Sequence, residues 1–275
     1  MNIVKKGLLC YYFRMILFFV KKAFIDGWDN LLHILALNVA ILGLAVGGYW
    51  AAGALSAIVP LSMGIIAVTA VAEGILLVAV SRAMAGVASF KAFSWRVVFA
   101  AIRETWLHGV LYALVIVAFV AVIGVALPFY FRLGGALGIT LAMILFWAAV
   151  IFVLSFQWFL PIRSQLDARF GKCVKKCFVI FFDNPGFSAF MFVYSVLLIS
   201  LSCLMILLLP GIAGLVLAQN EAFRLRMHKY DWLEEHPEID PKVARKSIPW
   251  SELIAEDYDN LGHRSLRSFI MPWKD

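Results

Sequence analysis

The chain has 275 residues, of which 63% are hydrophobic and 15% are charged, and its formal net charge is +7. A soluble domain of this size cannot bury so much apolar surface, which excludes a soluble globular protein and predicts one that uses lipid as its solvent. The charge is uneven, since 15 of the 24 Lys and Arg residues precede residue 177 and 11 of the 17 Asp and Glu residues follow residue 220. We therefore expect a basic membrane body followed by a slightly acidic tail.

The first segment, residues 1–30, has a basic start and an apolar stretch, as a signal peptide does. Arg14 interrupts that stretch, and no small-x-small cleavage site follows it. We expect an N-terminal interfacial amphipathic helix that stays on the protein.

Five apolar stretches are long enough to cross a bilayer, which takes about 20 residues. They are Leu31–Tyr49, Ile58–Ser81, Leu107–Phe129, Leu137–Leu160 and Phe187–Leu209. The uncharged stretch 185–218 is too long for one crossing, and Pro210-Gly211 within it is typical of a turn. We expect a hairpin there, with a sixth helix that begins at Ile212 and runs past Arg224 into the interface. The predicted fold class is all-α: a polytopic bundle of six transmembrane helices over residues 31–223, with amphipathic in-plane helices.

The basic residues predict the orientation of this bundle. Segments 1–30, 82–106 and 161–186 carry 5, 4 and 5 Lys and Arg residues, whereas segments 50–57 and 130–136 carry none and one. Basic loops stay on the cytoplasmic side of a membrane. We expect both termini in the cytoplasm of a bacterial cell, the protein in its inner membrane, and residues 224–275 as a cytoplasmic tail.

The odd-numbered spans also share a pattern, because each follows a basic, partly apolar segment and a polar corner. Trp28 and Trp106 are 78 residues apart, and Asp29 and Asp183 are 154 apart. This spacing predicts a threefold repeat of helical hairpins. The alternative is that any hairpin protein needs basic inner loops and helix caps, which gives similar spacing without a repeat.

The segment before the fifth span has the clearest amphipathic pattern. Arg169, Lys172 and Lys176 share one face, which we expect to contact anionic lipid headgroups. Cys173 and Cys177 fall one turn apart on the apolar face, where we expect them to act as small hydrophobic residues. Further ligand-type residues are not close by in the sequence, so we expect neither a metal nor a cofactor.

Glu73 is an acidic residue deep in the second predicted span. Asn38, in the antiparallel first span, has a similar depth at eight residues from the inner end, so we predict that the two form an intramembrane polar pair. Two interpretations are open: Glu73 carries a proton or binds a cation, as in a transporter, or it is a neutral hydrogen-bonding clamp between helices. The clamp is favoured because transport sites usually have several ionisable groups or broken helices.

The tail contains a short predicted helix, "SELIAEDYDNLG", opened by Ser251 and closed near Gly262. Aromatic residues mixed with arginine, which are typical of interface anchors, follow it. The expected partner-docking residues are Arg264, Arg267, Phe269, Ile270, Pro272 and Trp273. Alternatively, this end folds back onto the protein's own inner loops or the headgroups.

Three segments resemble the YesL-like family of bacterial integral membrane proteins. They are "KKAFIDGWDNLLHILALN", "FKAFSWRVVFAAIRETWLHG" and "PIRSQLDARFGKCVKKCFVIFFDNPGF", and the resemblance covers residues 20–225. That family has no assigned activity and is often linked with carbohydrate-uptake genes, which implies a role beside a transporter. The tail departs from the family's pattern.

Motifs of known catalytic sites are missing from the sequence, including a phosphate-binding loop, H-E-x-x-H and G-x-S-x-G. We therefore expect a protein that is not an enzyme and binds no nucleic acid. Its expected role is an accessory or scaffold subunit of a membrane complex, for which the inner loops and the tail form the contact surface. The alternative is a small secondary transporter or channel that uses Glu73.

Overall fold

The structure is a computed structural model that describes residues 2–166, 169–239 and 248–262, with residues 2–13 described by their backbone alone. Every regular element in these ranges is a helix, which confirms the all-α class. The helices are α1 (Asn2–Asp29), α2 (Leu31–Ala54), α3 (Val59–Ala88), α4 (Trp95–Leu133), α5 (Gly135–Phe156), α6 (Phe159–Leu166), α7 (Phe170–Asp183), α8 (Pro185–Leu204), α9 (Gly211–Glu235), α10 (Trp250–Leu253) and α11 (Ala255–Leu261).

Five helical segments of the described chain are long and apolar enough to span a membrane. They are α2, α3, α4, the unit Gly135–Leu166 formed by α5 and α6, and α8. Each contains most of one of the five predicted spans, so the prediction of apolar membrane-spanning helices is confirmed. A sixth span and a threefold repeat are not confirmed.

The basic segment that precedes the third predicted span was expected to form an in-plane helix of its own, and this expectation is wrong. The structure continues this segment directly into the third span, so that α4 is a single helix of 39 residues. At about 1.5 Å per residue, α4 is roughly 58 Å long and exceeds the thickness of a bilayer. The physical reason is that neither glycine nor proline interrupts the segment between Trp95 and the first apolar turns.

The predicted hairpin at Pro210-Gly211 is present. After α8 ends at Leu204, the chain turns, and α9 begins at Gly211. The φ of Gly211 is 62°, a backbone conformation that glycine adopts more readily than other residues. Helix α9 then runs back along α8, so that Lys229 near its end reaches Asp183, directly before α8 begins. We call the end of the bundle where α8 begins and α9 ends the inner end.

Helix α9 occupies the centre of the inner half of the bundle. Eight consecutive residues, 216–223, are buried, so the helix is covered on all its faces. Helices α1, α2, α3, α6 and α8 all pack against it. Because polar and charged side chains of α9 are among the buried ones, the inner half needs an internal network of polar partners.

Helices α3 and α4 approach each other most closely at two glycines. A Cβ atom on Gly109 would lie 2.4 Å from the Cα of Ile75, and one on Gly74 would lie 2.5 Å from the carbonyl oxygen of Gly109. Contacts this short leave no room for a side chain. Small residues let helix backbones pack closely in membranes, where dispersion contacts drive association.

Candidate functional site

Asn38 fastens the α8–α9 turn to α2. Its Nδ2 donates to the carbonyl oxygens of Leu208 and Pro210, each at 2.9 Å, and its Oδ1 accepts from the backbone N–H of Ala213 at 2.8 Å. The Ser202 hydroxyl oxygen accepts from the backbone N–H of Gly211 at 2.9 Å. The polar groups of an irregular turn are thereby satisfied inside the bundle, as a membrane interior requires.

The predicted pair of Asn38 with Glu73 is therefore wrong in its partner. The hydrogen bonds of Asn38 go to the turn at residues 208–213, and the buried Oε1 of Glu73 has no hydrogen-bond partner among the described residues. The prediction matched two residues by depth alone. The backbone of the turn binds Asn38 instead. Its two carbonyls and one N–H group use both the donor and the acceptor of the amide, whereas a single carboxyl group would satisfy fewer of these bonds.

Glu73 lies near the middle of α3, directly before Gly74 at the close crossing with α4. The residue is half-buried. Its position places a carboxyl group next to the close contact between α3 and α4. Burial of a carboxyl group inside a membrane costs free energy, which makes Glu73 a candidate functional residue.

A network of polar side chains, neutral except for Arg82, joins α3, α6 and α9. The Ser164 hydroxyl donates to the Ser81 oxygen at 2.7 Å, and the Asn220 amide donates to the same oxygen at 3.1 Å. Gln165 in turn donates to the carbonyl oxygen of Asn220 at 2.8 Å, and Arg82 donates to the carbonyl oxygen of Ser164. These bonds fix the register of three helices at the inner end.

Beside this network lies a buried cluster of charged residues from α1 and α9. Lys22 is 2% exposed and forms an ion pair with Asp26, one helical turn away. Its Nζ also lies 3.9 Å from Glu221, which is 1% exposed, and 4.1 Å from the centre of the Phe90 ring. One buried lysine thus contacts carboxyl groups of two helices and compensates the charge of one of them, so that its loss would leave buried charge without compensation.

A second charged cluster stands where α7 meets α8. Lys229 donates to Asp183 at 2.6 Å and to Asn184 at 2.8 Å, and the hydroxyl of Tyr230 donates to Asp183 at 2.9 Å. Burial and the neighbouring carboxylate of Asp183 raise the pKa of the Tyr230 hydroxyl, which keeps it a donor. Arg226 lies 3.6 Å from the centre of the Phe187 ring. Asn184 stands at the predicted cap position before Pro185, but its side chain binds this cluster and does not cap α8.

The tail helices α10 and α11 are held against the inner end by a third cluster. Arg224 donates to Asp257 at 2.7 Å, and Nε2 of His228 lies 3.2 Å from the same carboxylate. Trp250 is buried, and its ring centre lies 5.2 Å from Arg226. The predicted tail helix is present in two pieces, and it folds back onto the body.

Acidification should release this attachment. Burial by itself raises the pKa of Asp257, but hydrogen bonds from His228 and Arg224 outweigh that effect and lower the pKa to about 2. Because the folded-state pKa lies below the ordinary value of 3.8, the stabilisation is complete above about pH 5 and is lost as the pH falls from about 4 to 2.

The stabilisation by the Asp257 carboxylate is about 2 kcal/mol at neutral pH, which follows from the lowering of its pKa from 3.8 to about 2. Asp257→Asn should make residues 236–249 more susceptible to proteolysis at pH 7, while Asp259→Asn, at an exposed position of the same helix, should not. Equal proteolysis of the two variants would show that the carboxylate of Asp257 does not hold the tail.

The amphipathic helix α7 has the two faces that the sequence predicts. Arg169, Lys172 and Lys176 are exposed, while Cys173 and Cys177 are fully buried. Burial raises the pKa of the Cys177 thiol, so the group stays neutral, as a small hydrophobic residue does. The contact of the basic face with headgroups stays a prediction.

The predicted partner-docking residues lie outside the described part of the chain. They are Arg264, Arg267, Phe269, Ile270, Pro272 and Trp273. The structure describes the tail as far as Gly262, and within that part Trp250–Leu253 packs against α1 and Asp257 binds Arg224 of α9.

The sequence does not single out the three charged clusters. In the sequence, Lys22 and Asp26 belong to the predicted interfacial helix, and Glu221 belongs to the predicted sixth helix. The one available signal was the run Gln219-Asn220-Glu221, since three consecutive polar residues face every side of a helix and cannot all meet solvent if the helix is central.

Comparisons with protein-family models, with curated proteins and with solved structures find no match to this chain. The described residues also contain no group of three or more His, Cys, Asp and Glu residues that could hold a metal ion. The resemblance to the YesL-like proteins therefore depends on the quoted segments alone.

Proposed function

We propose that the chain is a non-enzymatic bacterial inner-membrane protein that serves as an accessory or scaffold subunit of a membrane complex. The observation that carries this proposal is the packed inner end, where α1, α9, α10 and α11 form one body. The carboxylate of Asp257 in the tail accepts a hydrogen bond from Arg224 of α9, and the buried ring of Trp250 packs near Arg226 of the same helix. Attachment of the tail as far as Gly262 fixes the point from which the proposed docking residues follow, which reduces the entropic cost of binding a partner. The resemblance to the YesL-like family adds that the partner is a transporter.

The proposal includes six crossings with both termini in the cytoplasm. The path of α9 supports the common side of the two termini, because α9 returns from the turn near Ser202 to the level of Asp183, where α8 began. The crossing of α8 is supported by its length of 20 residues and its apolar composition. A threefold repeat of hairpins also belongs to the proposal. The hairpins α2–α3 and α8–α9 support it, since each follows a basic helix, α1 or α7, and the hairpin α4–α5 has its basic segment within the first turns of α4.

Deletion of residues 263–275 should remove the partner and leave the fold intact. The deletion keeps Trp250 and Asp257, so the attachment of the tail is preserved. Affinity purification of the deletion variant and the full chain in mild detergent, followed by mass spectrometry, should show a membrane protein complex with the full chain only. Identical partners in both samples, or a partner in neither, would contradict docking through the tail.

A second candidate function is a small transporter or channel that uses Glu73. The observation in its favour is the buried Oε1 of Glu73 without a hydrogen-bond partner among the described residues, because a structural clamp needs a partner and a proton carrier does not. The proposal of a scaffold nevertheless ranks first because Glu73 is a single acidic group in α3.

Glu73→Gln separates the two functions. If Glu73 carries protons, the substitution should abolish proton flux in liposomes while the protein stays folded, since glutamine keeps the size and removes the titration. If the protein is a scaffold, Glu73→Gln should leave partner binding unchanged, and neither the original chain nor the variant should conduct protons. Proton flux that is equal and above background in both would exclude Glu73 as the carrier.

A further inference from the structure

The surface between α1 and α8 contains two cavities in succession. The first, of about 390 Å³, lies at the inner end, and Asp183, Gly186, Arg226 and Lys229 are among its lining residues. The second, of about 490 Å³, is lined on one side by α1 and the start of α2 and on the other by α8 and α9. The cavities therefore follow one another along the same pair of helices, from the inner end towards the middle of the bundle.

The two cavities are adjacent. Ile16 of α1 lines the first and Val20 lines the second, and on α8 the corresponding residues are Phe190 and Tyr194. Both steps are one helical turn, or about 6 Å. A single extended ligand can therefore occupy both cavities.

The first cavity is suited to an anion. Arg226 and Lys229 place a guanidinium and an ammonium group, both more than nine-tenths buried, in its lining, and Lys229 also forms an ion pair with Asp183 there. The first turn of α8 adds backbone donors. The first backbone N–H of this helix that donates to a carbonyl one turn earlier is that of Ser188, which donates to Asn184. The N–H groups of Gly186 and Phe187 precede it and have no acceptor inside the helix, which suits a phosphate.

The second cavity is suited to hydrocarbon. Its lining residues include no charged side chain, and several of them are large, apolar and open to the outside. Phe24, Trp28 and Leu197 are 44%, 53% and 58% exposed. An apolar groove on the lipid-facing surface of a bundle is filled by an acyl chain, which conforms to its shape.

We propose that this α1–α8 groove binds one phospholipid from the leaflet at the inner end. The phosphodiester lies at Arg226, Lys229 and the first turn of α8, and an acyl chain follows the groove past Val20 and Leu197. Free phosphate would use the first cavity alone and would leave the apolar groove unexplained.

Gly186→Glu tests the phosphate end. A Cβ atom on Gly186 would have no atom within 4 Å, so a side chain fits there without disturbing the fold. A carboxylate in the first turn of a helix also favours the helix dipole. The substitution therefore places a negative charge where the phosphate binds and keeps α8 intact. Gly186→Gln is the matched neutral control.

Gly27→Leu tests the apolar end. Gly27 lines the second cavity, and a Cβ atom on it would likewise have no atom within 4 Å. Leucine fills part of the groove without adding charge, whereas Gly27→Ala leaves most of it open and serves as control.

The measurement is native mass spectrometry of the full chain in detergent, titrated with phosphatidylglycerol or with inorganic phosphate. We expect one phosphatidylglycerol per chain, at least tenfold weaker binding to Gly186→Glu and to Gly27→Leu, and little change in the two controls. Circular dichroism should show equal helix content in all five proteins.

Several results would overturn the proposal. They are no retained phosphatidylglycerol on the original chain, equal binding to Gly186→Glu and Gly186→Gln, or equal binding to Gly27→Leu and Gly27→Ala. Inorganic phosphate that binds as tightly as the lipid would identify the first cavity as a site for free phosphate. Loss of helix content in Gly186→Glu would contradict the premise that the position is open.

Discussion

Gly109→Leu should prevent assembly of the bundle, and Gly109→Ala should lower the free energy of unfolding by about 1–3 kcal/mol. A single Cβ atom at this position would lie 2.4 Å from the Cα and 2.8 Å from the backbone nitrogen of Ile75. Backbone atoms cannot move aside as the end of a side chain can, so α3 and α4 must separate. Separation would also loosen the packing around Gly74.

The matched control is Gly124→Ala on the same helix. A Cβ atom on Gly124 has no atom within 4 Å, and alanine has a better helix propensity than glycine, so this variant should be as stable as the original chain or slightly more stable. Unfolding of the variants in detergent, followed by circular dichroism as denaturant is added, measures the difference. Equal stability of the two alanine variants would contradict the close crossing.

Asn38→Ala should cost about 2–4 kcal/mol, because it removes the partners of two carbonyls and one N–H group that are buried in the α8–α9 turn. Asn38→Asp should be nearly as damaging. An aspartate keeps the acceptor for the N–H of Ala213 but replaces the donor with an oxygen that faces the carbonyls of Leu208 and Pro210.

Asn30→Ala is the control for this prediction, since the amide of Asn30 binds only locally, to the carbonyl of Asp26. It should cost less than about 1 kcal/mol. Thermal unfolding of the three variants, and the accessibility of a cysteine introduced in the turn at Leu207, measure the effects. If Asn38→Ala were no more damaging than Asn30→Ala, Asn38 would not be what holds the turn.

The all-α class and the apolar helices long enough to span a membrane could be predicted from the sequence, because the bilayer requires them. Long apolar stretches have few alternatives to a spanning helix, and Pro210-Gly211 has few alternatives to a turn. The two faces of α7 were predictable for a similar reason, since Lys172 and Cys173 differ strongly in their cost of burial. The ends of helices were less predictable, as the uninterrupted α4 shows.

The partners of the polar residues could not be predicted, because they depend on which helices are neighbours. Counting along the sequence gives Asn38 and Glu73 similar depths, but Gly48 of α2 meets Thr69 of α3, which places Glu73 about six residues, or roughly 9 Å, further from the inner end than Asn38. The pairing of Lys22 with Glu221 joins residues 199 positions apart. A pattern of 3.6 residues cannot indicate that α9 lies at the centre of the inner half.

The central place of α9 has a consequence for biosynthesis. Among the long helices that the structure describes, α9 leaves the ribosome last. Helices α1 and α3 nevertheless contain Lys22 and Ser81, whose partners Glu221 and Asn220 belong to α9. The earlier hairpins must therefore wait in the membrane with incomplete polar contacts until translation has passed residue 229. A stop codon before Gly211 would leave that vacancy permanently, and a truncated product of this kind is a natural substrate for membrane quality-control proteases.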